Sequence, residues 1–267
     1  INDSEQKAFY EMFVAVAGLS VGQSAALTIA TTGGAKRMNL ADFDRLEGTN
    51  LNRIKGTISD INELKTKIVA KQIYSLNPYA DLNLYSEGLT DKNIGSFLDN
   101  VNLIVDEIDN FHIKALLRKK AQENNLPLVS AFDTADGIVL DVERYDLKIG
   151  QKPFFGNLTE KEFQTLVNSE PHPSEIPKFV IKTMGMEVIP DKFKSSILKV
   201  GKDISGVPQL GSTAFFAGSA VAFAARMISS NSNLSGRFYL DLRNLTKIGY
   251  GYTLNIEEKE IFKKITN

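Results

Sequence analysis

A chain of 267 residues, 43% hydrophobic and 24% charged, has the composition of an ordinary folded protein. It is long enough for one large α/β domain, or for a nucleotide-binding domain with an extension that shares its core. Lys and Arg number 31 against 32 Asp and Glu, so no whole-chain field draws it to nucleic acid or an anionic membrane, and neither is expected as a partner. The absence of cysteine excludes disulfides, thiolate metal sites, a zinc site of that kind and any thioester carried by these residues.

The apolar run Phe13 to Ala17 ends in glycine and suits a buried parallel strand. After the turn Gly18-Leu19-Ser20-Val21-Gly22, small and apolar residues from Gln23 to Thr31 predict a helix packed on the sheet and stopped at Gly33-Gly34. Arg37 to Asp44 reads as a second strand ending in acids, and Glu63 to Leu76 as an amphipathic helix ended by Asn77-Pro78. Leu82 to Ser86, Val101 to Asp106 and Pro127 to Phe132 are three further strands, with a basic amphipathic helix over His112 to Asn124. This alternation predicts a Rossmann-like, doubly wound, mostly parallel sheet with helices on both faces over residues 1–135.

From about residue 136 to 267 the alternation stops, and the pattern predicts a mixed extension completing the same domain. Val139 to Tyr145 and Gly236 to Leu242 read as strands; Thr159 to Asn168, Ser174 to Met184 and Asp191 to Val200 read as helices. The apolar stretch Thr213 to Ala225 is short of the roughly 20 residues that span a bilayer and is expected to be a buried helix. No charged and apolar leader pattern opens the chain, which makes a cytoplasmic location the expectation.

Glycines in a strand-turn-helix let a backbone come close to a phosphate held at the helix N-terminus. Gly18, Ser20 and Gly22 are therefore candidate nucleotide residues, although close helix packing would select the same small residues. Asp42 lies 24 residues after Gly18, near the roughly 20 expected of a carboxylate that binds ribose hydroxyls. Asp44, two residues on, would share its strand face, so the two acids are interchangeable at this level.

The motif Asp42-Phe43-Asp44, a polar spacer and Asn50-Leu51-Asn52-Arg53 is followed by Lys65 and by Asp106-Glu107-Ile108-Asp109-Asn110. In this order the motifs resemble the ThiF/MoeB and ubiquitin-activating family of adenylating enzymes. The likeness covers residues 13–145 and, less specifically, Val207 to Leu210 and the helix beyond. Within the family it is most similar to bacterial ThiF-like proteins in which this domain can be joined to a nitroreductase-like domain.

The resemblance implies that Asp42 binds the ribose, that Asn50, Arg53 and Lys65 hold the triphosphate of ATP, and that Asp109 binds Mg²⁺ or positions the α-phosphate. Arg53, Lys65 and Asp109 would be the catalytic set. A substrate carboxylate, such as the C-terminus of a small protein, would become an acyl-adenylate with release of pyrophosphate, in an enzyme expected to be a homodimer. The chain departs from the family at Ile54, where Gln is common, at Asn62, where Gly is common, and in having no arginine within Ile1 to Met12. Two other functions stay open: a nucleotide-binding partner protein without turnover, and an NAD/FAD-binding oxidoreductase. His112 and His172 read as surface or capping residues.

Overall fold

The computed structural model describes residues 1–185, 187–200, 202–204, 206–249, 251 and 253–266. In chain order, α1 (Asp3–Glu11), β1 (Phe13–Ala17), α2 (Val21–Thr31), β2 (Arg37–Ala41), α3 (Lys65–Leu76) and β3 (Asp81–Tyr85) come first. Then follow α4 (Ile94–Phe97), β4 (Leu103–Asp106), α5 (Phe111–Asn124), β5 (Pro127–Asp133) and β6 (Gly137–Arg144). The last part holds α6 (Glu160–Asn168), α7 (Ile176–Met184), α8 (Asp191–Lys199), α9 (Gly211–Ser229), β7 (Gly236–Asp241), α10 (Leu242–Leu245) and α11 (Ile256–Thr266).

The seven strands form one sheet in the order β3-β2-β1-β4-β5-β6-β7. Strands β1 to β5 pair in parallel, and β6 and β7 add antiparallel at one edge. The predicted doubly wound sheet is thus present, with the extension supplying its mixed edge. Strand side chains alternate between faces. Val14, Val16, Met38, Leu40, Leu103 and Val105 pack under α1, α2, α3 and α9, whereas Phe13, Ala15, Ala17 and Ile104 pack under α4 and α5. Alanines in β1, buried along its whole length, leave room for helices to lie close.

One sequence expectation changes, and two helices appear that the sequence reading did not mark. Strand β2 ends at Ala41, so Asp42 and Asp44 lie in the loop beyond it and share no strand face. Helix α1, unmarked by any long apolar period, is set by a capping box: Asn2 Oδ1 accepts from Glu5 N at 3.0 Å and Glu5 Oε2 from Asn2 N at 2.8 Å. Helix α11, rich in charge, docks Phe262 beside Ile181 of α7.

Helix α9 is long and apolar enough to cross a membrane by length and composition, but 56% of its apolar window is buried, as befits a core helix. It lies so close to α2 that a Cβ at Gly218 would stand 2.5 Å from the Ser24 main chain.

Beneath the other face, Arg118 is fully buried. Its guanidinium donates to Asp106 Oδ2 at 2.6 Å and Glu143 Oε1 at 2.9 Å, and lies 3.8 Å from the centre of the Phe154 ring. Tyr145 Oη donates to Glu143 Oε2 at 2.5 Å, and Lys114 Nζ to Asp106 Oδ2 at 3.1 Å. This closed network ties β4, α5 and β6 together.

Candidate functional site

The strand order reverses between β1 and β4, and in an open parallel sheet such a switch leaves a crevice at the carboxyl ends of the strands. A pocket opens there, lined by Gly18 to Ser20, Asp42 to Asp44, Lys65 and Asp109. A second, more apolar chamber of about 250 Å³ adjoins it across Ser20, Glu107, Ile108 and Asp109.

The turn after β1 is held from below. Gly18 has φ +84°, which glycine alone adopts without strain, and a Cβ there would overlap the Glu107 carbonyl. Its N–H donates to Ala41 O at 2.8 Å and that of Leu19 to Asp42 Oδ2 at 2.7 Å. Ser20 then caps α2, and its hydroxyl accepts from Arg53 Nε at 3.1 Å. Gly22 lines neither chamber; a Cβ there would stand 3.1 Å from Val16 Cγ1 and 3.4 Å from Glu107 Cβ, so its missing side chain eases packing, the other use the sequence offered for it.

Asp42 is the keystone of the pocket floor. One oxygen takes Leu19 N and the other Asp44 N at 2.8 Å, so a single buried carboxylate fixes two loops. Burial pushes its carboxyl up, against the pull of Lys65 and these two N–H donors. Lys65, 6% exposed at the start of α3, reaches Asp44 Oδ2 at 2.7 Å and Asp42 Oδ2 at 3.9 Å. A buried ammonium between two carboxylates is a cation held ready for an anion.

Arg53 lines neither chamber and is tied to them through Ser20; besides Ser20 it donates to Asn52 Oδ1 at 2.9 Å. Asn50 is not brought into either chamber. Its amide oxygen accepts from Glu47 N at 3.1 Å in a reciprocal cap, so it shapes the Gly48–Asn50 turn that presents Arg53. Asp109, exposed in the loop after β4, lies where the two chambers meet.

Two acids escaped the sequence reading. Glu107 Oε1 accepts from Ala131 N at 2.9 Å, and burial holds its carboxyl well above the usual range despite Lys114. Asp133 ends β5 with both oxygens buried and no donor among the described residues. Burial drives its pKa up to about 7, with Arg53 opposing and Asp109 reinforcing. An acid at the end of a strand is the signal that singled out Asp42, and it applies equally to Asp133 once β5 is extended by one residue beyond Phe132.

His112 bridges the Leu166 carbonyl at 2.8 Å and Asp91 at 2.9 Å, and His172 caps a short turn. Among the described residues no three His, Asp or Glu side chains cluster as a metal site.

Comparison with known proteins agrees with this geometry. The chain is 32% identical over 243 residues to an uncharacterized protein of Mycobacterium tuberculosis, covering 91% of this chain and 33% of that one. It is 33% identical over 97 residues to a sulfur carrier protein adenylyltransferase of Thermus thermophilus, covering 36% of each. It spans about a third of the length of both. Among solved structures, PaaA superposes with TM-score 0.66 at 16% identity, over 90% of this chain and 72% of the other. Escherichia coli MccB with ATP superposes with TM-score 0.59 at 14% identity, over 90% and 66%. These two likenesses concern the fold. The family model described as ThiF matches residues 1–248, all seven strands and both chambers included, and the chain belongs to the ThiF family.

Proposed function

We propose that the chain binds ATP at the switch point and transfers its AMP moiety to a substrate carboxylate, forming an acyl-adenylate and pyrophosphate. The observation that carries this reading is the buried Lys65, poised beside Asp42 and Asp44 in a pocket that opens beside Asp109 into a second chamber. The first chamber suits the nucleotide and the second the acyl group, with their shared wall where the α-phosphate must meet the attacking oxygen.

In this reading the second lone pairs of the Asp42 carboxylate accept the ribose hydroxyls, and the N-terminus of α2 faces the phosphates. Lys65 and Arg53 neutralise charge as pyrophosphate leaves. The reaction needs little more than alignment and charge stabilisation, which one in-line carboxylate, two cations and a rigid loop provide. The donor set fits Mg²⁺ only as a partner of ATP: Asp109 would hold it as a single carboxylate, with phosphate oxygens completing the shell, as is usual for this ion. Bound Mg²⁺ supplies further neutralisation of the triphosphate.

Two functional parallels are the sulfur carrier protein adenylyltransferase and MccB crystallised with MccA. They support a carboxylate on a peptide or small protein as substrate. Homodimerisation and a cytoplasmic setting are part of the same proposal; with no cysteine in these residues, the adenylate passes to an acceptor other than a thiol of this chain.

Calorimetric titration with ATP and Mg²⁺ beside NAD, on wild type, Arg53→Ala, Asp109→Ala and Asp42→Ala, tests the reading. Expected are ATP binding in preference to NAD, loss of pyrophosphate exchange in Arg53→Ala and Asp109→Ala, and weakened ATP binding in Asp42→Ala. Wild-type exchange in Arg53→Ala, or a preference for NAD, would overturn it.

A further inference from the structure

The apolar chamber holds an acid that the protein leaves without a donor. Neither oxygen of Asp133 receives a hydrogen bond from any described residue, although both are buried. A carboxylate removed from water without donors is unfavourable, and such groups persist where a ligand completes them. The remaining charge on the wall sharpens the point. Three acids, Glu107, Asp109 and Asp133, line the chamber; among the described residues its one lining cation, Lys114, donates to Asp106 at 3.1 Å, while the charge of Arg53 acts on Asp133 without a hydrogen bond to it.

The rest of the wall is apolar: Phe132, Val180, Met184, Phe193, Ile197 and Val207 surround the space. Phe132, Val180, Met184, Phe193 and Ile197 form a packed cluster over the end of β5, and a volume of about 250 Å³ falls below the roughly 300–1,000 Å³ of sites for drug-sized molecules. One residue-sized apolar group fits that description.

We propose that Asp133 is the specificity-determining residue of the acyl chamber, accepting hydrogen bonds from an ammonium or N–H group that the carboxylate substrate carries next to an apolar side chain. Amino acids and the C-terminal residues of peptides combine these three features. The inference rests on the adenylation reading for the role of the carboxylate, but the binding preference it predicts stands apart from turnover.

Calorimetry on the full chain tests it, with and without ATP and Mg²⁺, using leucine, methionine and phenylalanine, their N-acetyl derivatives, and the corresponding acids that lack the amino group. Wild type is expected to bind at least one amino-bearing acid about tenfold or more tighter than its des-amino counterpart, because a site built around a buried polar group rejects an analogue that cannot pair with it. Asp133→Asn, checked by circular dichroism for an intact fold, should lose that preference. Binding of the free amino acid alone assigns it as the source, and equal binding of the N-acetyl form assigns a peptide C-terminus. Equal affinity for des-amino acids, no binding by the amino-bearing acids, or an unchanged preference in Asp133→Asn would overturn the inference. Failure of ATP binding in the same titrations would instead remove the adenylation reading.

Discussion

Two sets of buried charge lie on this sheet, and the protein treats them in opposite ways. In the network around Arg118 every charge is answered: Asp106 has both Arg118 and Lys114, and their charge holds its carboxyl below the usual range although burial raises it. Glu143 receives Arg118, Tyr145 Oη and Phe154 N, although burial still raises its carboxyl above the usual range, so the contrast lies in the hydrogen bonding rather than in the direction of titration. At the carboxyl ends of the strands, among the described residues, Asp133 has no donor and Glu107 only one backbone N–H, and both carboxyls are pushed up by burial. Fully paired charge fixes a structure; charge left incomplete beside a cavity marks where a ligand is to be received.

The contrast is most open to attack at Arg118. Replacing it by Met leaves Asp106 with only Lys114 and strips Glu143 of its cation. Removing one partner of a buried ion pair costs about 3–5 kcal/mol, so Arg118→Met should be destabilised by that order in urea unfolding. A loss below about 1 kcal/mol would show that the network is not closed in the way its distances indicate.

Asp133 should behave in the reverse sense. Burial pushes its carboxyl up to about 7 from an ordinary 3.8, so between these two pH values the native state holds a proton that the unfolded chain has released. Stability tied to this group is therefore present below about pH 4, falls as pH rises towards 7, and stays low above it. Asp133→Asn removes the dependence. The variant should match wild type near pH 4 and exceed it at pH 8, by up to about 4 kcal/mol at ~1.4 kcal/mol for each pH unit between the two values. Melts that differ by the same amount at both pH values would sink the assignment.

Much of this contrast could be read from sequence only on one side. The sheet and its order of motifs were legible because β1, β4 and β5 are short apolar runs with small residues or acids at their ends, and because Asp42, Arg53, Lys65 and Asp109 stand in a family order. The partners that complete the picture are long-range. Nothing local to Glu107 shows that it supports the Gly18 turn and takes Ala131 N, and nothing near Asp133 shows that α7 and α8 roof it. Asp44 illustrates the same limit: its role depended on where β2 stops, and two residues of difference moved it from the strand to a loop beside Lys65.

That loop supplies the finest test, since Asp42 and Asp44 both meet Lys65 yet differ in setting. Asp44 is 50% exposed at its side chain and Lys65 only 7%, so Asp44→Asn, which leaves Lys65 with Asp42 at 3.9 Å, should cost more than the about 0–1 kcal/mol of an exposed pair and less than the about 3–5 kcal/mol of breaking a fully buried one. Its effect on ATP separates two roles. If Asp44 only holds Lys65 until a triphosphate arrives, removing a negative charge from the pocket strengthens ATP binding, by about 1 kcal/mol or roughly fivefold at contact distance in water. If Asp44 rather than Asp42 takes the ribose hydroxyls, the same variant weakens ATP binding. Titration of Asp44→Asn beside Asp42→Asn decides between them: the geometry, in which Asp42 is buried in the pocket floor and Asp44 lies over its mouth, predicts tighter binding in the first and weaker in the second.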